Sequence, residues 1–438
     1  MSAFYCREKL ISDVTETIEN DAFRERSRSE SGGKGFSRNR KLTFIHLIVL
    51  LTQGLTRSIQ REVNSFYQKL LHENFSLQHV TKGAFSKARA KLRPEAFVEL
   101  MQVSNRSFYK DAPYQMWLKW RLLTIDGSTA VLPNHDSIKE AFGVVNYGPH
   151  RNSPRSIARI SVLYDALNFI VLDGQMADYA TDERELATRH FDQLEAGNDL
   201  LLLDRGYPSY LLMYKLQQKG VDYCIRLCDD WWKEVRKMLA EGAVDKEVVF
   251  ELSAKDKKAA ANLGGDYKVN CRLVAITLED GTREILCTSV RDKEALPYDS
   301  FADLYHCRWN IEENYKLFKS RLQLEAFSGK TAVAIKQDFF AKLFMMSLTA
   351  ALAFPVEEKL LEEQQNQHRK HPYKINKTNA LSFTREIAQS LFIKKIIKPA
   401  LAAMDKVLKA TVELVRPGRK NPRNKIKKKP PSMNYKQL

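Results

Sequence analysis

Within YHCRWNIEENYKLFK, from Tyr305 to Lys319, four polar side chains share one narrow face if the segment is helical. At 100° per residue, Tyr305, Arg308, Glu312 and Lys319 lie at about 0°, 300°, 340° and 320°. One carboxylate able to ligate a metal would stand beside a planar Arg fork and a Lys point charge, both suited to phosphate. Leu304, Ile311, Phe318 and Leu322 gather between about 220° and 260°, an apolar stripe that would bury the helix and leave the polar wedge at its edge. The same pattern is met by a solvated face on which Arg308 and Glu312 pair at i,i+4.

Two further acids stand out by context. Asp126 in LLTIDGS and Asp204 in LLLLDRG each close an apolar run, where an uncompensated carboxylate is costly and calls for a partner or a cation. Two acids at the C-terminal ends of strands in one sheet, with Glu312 on a flanking helix, would converge on a pair of divalent ions. Oxygen ligands with open water positions suit magnesium or manganese. Taken singly, Asp126 also fits a turn at Gly127, and Asp204 a pair with Arg205 or a cap for the helix after Pro208.

The elements that would position these acids follow from periodicity. WLKWRLLTIDGST reads as a strand ending in a turn, and ARISVLYDALNFIVLDGQMAD as two strands joined at Asp165 to Asn168. DERELATRHFDQL reads as a helix, with Asp182 and Glu183 in its first turn, and Leu200 to Leu203 as a strand buried on both faces. The result is α/β: a mixed sheet flanked by helices. Residues 229–297 are mainly β in pattern, with a hairpin signal at Glu279-Asp280-Gly281, and read as an insertion into a domain formed by 117–228 and 298–345. Residues 1–116 and 346–415 are helical in pattern. Trp231 and Trp232 are read as packing residues.

Lys plus Arg at 70 against Asp plus Glu at 53 gives a net charge of +17, which favours a polyanionic partner, nucleic acid first. Thr81 can N-cap a helix that ends before Pro94, with Lys82, Lys87, Arg89 and Lys91 on its exposed sides and Phe85 and Leu92 inward, a form that suits DNA backbone. Arg151, Arg155 and Arg159 would approach backbone beside Asp126. The tail from Arg416 to Lys429 has basic residues and no acid. The apolar run from Phe344 to Phe354 is far short of the roughly 20 residues of a membrane span, and the N-terminus lacks a signal-peptide core, so no membrane partner is expected. The six cysteines are scattered, and Cys224 and Cys228 read as core thiols rather than zinc ligands. His135, His150 and His190 show no ligand or triad spacing, and no glycine-rich phosphate loop is present.

Asp126 in DGS, Asp204 in DRGY, and Tyr305, Arg308, Glu312 and Lys319 at their spacing resemble a bacterial insertion-sequence DDE transposase of the Tyr-Arg-Glu-Lys class, over about Trp117 to Phe340. The resemblance implies an RNase H-like core, with a mostly β insertion in the 108-residue gap between Asp204 and Glu312. It implies that Asp126, Asp204 and Glu312 bind two magnesium ions, manganese substituting, while Tyr305, Arg308 and Lys319 grip phosphates near the transposon end. It further implies transposon-end and target DNA as partners, a homodimer when synapsed on DNA, and a cytoplasmic, nucleoid-associated bacterial protein. The rivals are a nuclease or resolvase on the same core, and a domesticated non-catalytic DNA-binding protein.

Overall fold

The computed structural model describes residues 3–29, 35–36, 40–147, 153–229, 232–278, 281–307, 324–366 and 372–415. Arg308, Glu312, Lys319, Trp231, Glu279, Asp280 and the basic tail lie outside the described residues. The chain divides into two compact units, one formed by 1–114, 129–158 and 316–438 and the other by 115–128 and 159–315.

Among the described residues eight strands form one sheet, and Val145–Tyr147 with Ser153–Arg155 form a hairpin apart from it. The strands are β1 (Arg121–Val131), β2 (Val145–Tyr147), β3 (Ser153–Arg155), β4 (Ile157–Asp165), β5 (Val171–Asp178), β6 (Asp199–Leu203), β7 (Asp222–Leu227), β8 (Asp245–Glu251), β9 (Lys268–Thr277) and β10 (Arg283–Thr288). The eight-stranded order is β5-β4-β1-β6-β7-β10-β9-β8. β1, β6 and β7 run parallel, whereas β10 is antiparallel to both β7 and β9, and β8 to β9. Taken in chain order, the first five strands of the sheet lie 3-2-1-4-5, the RNase H-like arrangement. Strands from residues 245–288 continue the same sheet past β7.

Residue chemistry accounts for the central pairing. Leu200 to Leu203 are fully buried, each contributing about 1.5–3 kcal/mol by leaving water. Arg121 lies directly across from Asp199 in the β1–β6 register. Its Nε and Nη2 donate to the two Asp199 oxygens at 2.7 and 2.9 Å, with both side chains sealed from solvent. A one-residue slip would break this bidentate pair and turn every side chain of the strand to the other face. At the next junction, Trp120 Nε1 donates to Asp222 at 3.0 Å, tying β1 to the start of β7. Trp120, Leu122, Leu200, Leu202 and Cys224 form one core with Phe301, Leu304 and Tyr305 of the helix Phe301–His306. The expectation of core thiols holds for Cys224, which is wholly buried and whose thiol burial pushes up to about 12.

In the other unit, the helix Ala332–Asn366 packs against Glu95–Asp111, Phe44–Thr52 and Lys377–Phe392. It is the one described helix long and apolar enough to cross a membrane, yet 89% of its apolar window is buried within the protein. Apolar residues flanking the Phe344–Phe354 run, such as Ile335 and Phe339, lengthen it beyond what that run suggests.

Candidate active site

Asp126 and Asp204 come together because of the Arg121–Asp199 register. Each is five residues beyond a member of that pair, and the ladder runs to Thr124 opposite Leu202. Continued by two residues, the register sets Asp126 beside Asp204 on neighbouring strands, which lie about 4.8 Å apart. By alternation both share the face of Leu122 and Leu202, the face on which Leu304 and Tyr305 pack.

One expectation needs correction here: β1 does not end in a turn at Asp126-Gly127 but runs on to Val131. β6 stops at Leu203 while β1 continues beside β4, where the Leu132 amide donates to the Ser156 carbonyl at 3.0 Å. The acids therefore sit where β1 outruns its neighbour. Both are half-buried. The Gly127 amide donates to Asp126 Oδ1 at 2.8 Å, and the Gly206 amide to Asp204 Oδ1 at 2.8 Å, so a backbone donor orients one oxygen of each carboxylate. Asp204 does not cap the helix after Pro208; Ser209 does, accepting from the Leu212 amide.

Three more side chains border this spot. The ring of Tyr207 is buried at 2% exposure, and its hydroxyl has no hydrogen-bond partner among the described residues. An unpaired buried hydroxyl costs about 1–3 kcal/mol. Burial, followed by the charges of Asp126, Glu183 and Asp204, holds the phenol well above its ordinary pKa despite Arg159, so it stays a donor. Asp182, expected in the first turn of the helix Glu183–Thr188, is its N-cap, while Glu183 opens that helix as expected. Its carboxylate accepts from Arg159 Nη1 at 2.5 Å, while Arg159 Nε donates to the Tyr179 carbonyl at 3.2 Å. A Cβ at residue 127 would lie 3.2 Å from Glu183 Cδ and 3.4 Å from the Tyr207 hydroxyl, so glycine there lets these groups close in. A role for Glu183 beside the acids was not foreseen: its sequence signal was that of a helix first turn.

The residues suit a divalent cation. Two carboxylates, each pre-oriented by an amide, both lie near enough to Tyr207 for their charges to act on its phenol; hard oxygen donors of this kind select magnesium or manganese. Among the described residues no three metal-ligating side chains converge. The expected third ligand, Glu312, lies outside them, as do Arg308 and Lys319.

Other expected contacts fall differently. Tyr305 is in the core at 4% exposure, not on an open polar face, because Phe301, Leu304 and Tyr305 all turn toward the sheet. Thr81 caps the helix Lys82–Arg89 as predicted, with Lys82 and Lys87 exposed, Lys91 half-buried and Phe85 inward. Arg89 is a correction: it was expected on an exposed side but is buried at 5%. It donates to Asp338 at 2.6 Å, Gln337 at 2.7 Å, the Ala334 carbonyl at 2.7 Å and Ser328. Arg155 is half-exposed on β3, in the unit that does not contain Asp126. Trp232 packs on Tyr210 and Phe250 at 4.7 and 4.9 Å between ring centres, as a packing residue should.

A second polar cluster was also missed. His190 Nδ1 donates to Asp173 at 2.7 Å, and Ser161 bonds His190 Nε2 at 2.9 Å. The order resembles a hydrolytic triad, but Ser161 and His190 are at most 1% exposed and no substrate can reach them. The cluster instead ties the segment after helix Glu183–Thr188 to β4 and β5. The three residues are far apart in the chain, so no spacing signal exists for them.

Residues 118–348, just over half of the chain, match the model of the transposase DDE domain, and the chain belongs to that family. It is similar to the transposase InsG for insertion sequence element IS4 of Escherichia coli strain K12, with 25% identity over 276 residues. That match covers 61% of this chain and 60% of the relative, so it spans less than two thirds of the relative's length. A solved piggyBac transposase synaptic complex with hairpin DNA aligns with 93% of this chain and 85% of that one at 11% identity; its TM-score of 0.43 is too low to establish a shared fold.

Proposed function

We propose that this protein is a DNA transposase that cleaves transposon ends and joins the freed 3′ hydroxyls to target DNA, by a cut-and-paste route. The observation that carries the reading is the parallel register of β1 and β6, whose continuation by two residues would bring Asp126 and Asp204 together, inside the stretch that matches the transposase DDE domain. Asp126, Asp204 and Glu312 are the catalytic carboxylates and hold two magnesium ions, manganese substituting. Bound there, the ions supply Lewis-acid polarisation of the phosphodiester and a more acidic attacking water or 3′ hydroxyl. The chain's own part is orientation: the Gly127 and Gly206 amides fix one oxygen of each aspartate before any ligand arrives.

Arg308 and Lys319, with Tyr305 supporting them from the core, contact phosphates near the transposon end. Lys82, Lys87, Lys91 and Arg155 contact DNA backbone, and residues 1–116 form a helical DNA-binding region. Residues 117–228 with 298–345 form the catalytic domain, split by the insertion 229–297, and residues 346–415 form a helical C-terminal region before the basic tail. Two ends are processed together by a homodimer on DNA. The deciding assay supplies pre-nicked transposon ends, magnesium and a plasmid target. Joined product is expected, whereas efficient cleavage without joining would make the protein a nuclease or resolvase, and neither would make it a non-catalytic binding protein.

A further inference from the structure

Tyr207 has a place in this site that its position in the DRGY turn does not by itself explain. The ring is buried, the backbone amide donates to the Asp204 carbonyl at 3.2 Å, and the hydroxyl alone lacks a partner. Evolving such a group away is simple, since phenylalanine fills the same space without an orphaned oxygen. The hydroxyl lies 3.4 Å from the point where a Cβ of residue 127 would sit, and the Glu183 carboxyl carbon lies 3.2 Å from the same point. Glycine at 127 keeps this meeting place open. Glu183 is in turn held by Arg159, which is also stacked over Tyr179 at 5.1 Å.

We propose that Tyr207 is a positioning residue for the metal site: its hydroxyl donates to Glu183 across Gly127 when a divalent cation binds, locking the turn that presents Asp204. The inference rests on the reading of Asp126 and Asp204 as cation ligands. A cation drawn in by the aspartates redistributes charge among the four acidic and phenolic groups, and the Glu183 carboxyl carbon lies beside the same point at Gly127 as the unpaired donor. Tyr207 touches no substrate in this account. It stiffens Asp204 through the backbone of its own turn, as groups outside a metal's ligand set commonly do.

The test uses the full chain and Mn2+ alone, followed by electron paramagnetic resonance of the free ion, with thermal melting in metal-free buffer measured in parallel. Tyr207→Phe is expected to weaken Mn2+ binding about tenfold, the scale of such indirect contacts, while leaving metal-free melting unchanged or slightly higher. Glu183→Ala should weaken binding similarly, and the double variant by no more than either single one, since both remove the same bond. Mn2+ affinity unchanged in Tyr207→Phe, a metal-free melting loss in that variant, or additive losses in the double variant would each overturn the proposal. Asp204→Asn separates the two readings: if it abolishes Mn2+ binding while Tyr207→Phe does nothing, only the role of Tyr207 falls. If Asp204→Asn also leaves binding intact, the metal-site reading falls and takes this inference with it.

Discussion

The ladder between β1 and β6 carries acidic residues at both ends, and the two ends are finished in opposite ways. At the start, Asp199 is wholly buried and accepts on both oxygens from Arg121, which faces it across the pair, and on one of them from the Glu195 amide. Burial pushes the Asp199 carboxyl up and the guanidinium pulls it back. Five residues on, Asp126 and Asp204 are half-buried, and each accepts a neutral backbone amide, from Gly127 and Gly206. No cation from the protein pairs with Asp204 among the described residues, whereas Asp199 has its guanidinium. One end uses charge to set register, and the other spends that register to hold two carboxylates for a cation.

The sharpest way to break this contrast is to neutralise each end separately. Asp204→Asn should abolish magnesium-dependent cleavage of transposon-end DNA by about a thousandfold or more, since losing a metal ligand removes several kcal/mol of transition-state stabilisation. Its melting temperature should hold, because an asparagine in that half-buried place keeps the oxygen that accepts from the Gly206 amide. Arg121→Leu should do the reverse, destabilising the fold by about 3–5 kcal/mol in chemical denaturation by stranding Asp199. The double variant Arg121→Leu with Asp199→Leu should recover most of that loss. A stable Arg121→Leu protein with full activity would show that the register does not depend on this pair.

The same division between structural and exposed charge runs through the helix Lys82–Arg89. Lys87→Ala should lower the slope of log affinity for DNA against log salt by about 0.9, the signature of one lost phosphate contact. Arg89→Lys should leave that slope alone and lower stability instead, since lysine cannot reproduce the four-way contacts to Ser328, Ala334, Gln337 and Asp338. A slope change in Arg89→Lys would return that residue to the DNA-contact set.

These cases also mark how much could be read from sequence. Asp126 and Asp204 were legible because an acid closing a run such as LLLL is locally expensive, and expense is visible in a short window. The helix cap at Thr81 and the inward Phe85 were legible because both are properties of a single turn. Arg89 was misread because its partner Asp338 is 249 residues away, and a helical wheel does not show which neighbour covers a face. Tyr305 was placed on the polar wedge by its angle, yet a phenol serves a core as readily as a surface, and the neighbouring Phe301 and Leu304 decided it. Glu183 was correctly assigned to a helix start, but its approach to Gly127 depends on the path of β4, β5 and the helix together. Local chemistry was readable; which distant segments meet was not.

A smaller effect tests the far edge of the same sheet, where Asp245 on β8 repeats the structural mode. Burial raises its carboxyl pKa, but Arg272, donating to both oxygens at 2.8 Å, and Lys293 at 3.3 Å outweigh burial and hold it below the ordinary carboxylate value. A carboxylate depressed in the folded state contributes stability above its unfolded pKa of about 3.9 and loses that contribution as pH falls through the folded value. Chemical denaturation of the wild type at steps from neutral pH down to about pH 2.5 should therefore lose stability more steeply below about pH 4 than Asp245→Asn does, the variant being weaker throughout the neutral range. Parallel acid profiles for the two proteins would show that Arg272 is held by packing alone, and that β8 does not rely on charge as the β1–β6 start does.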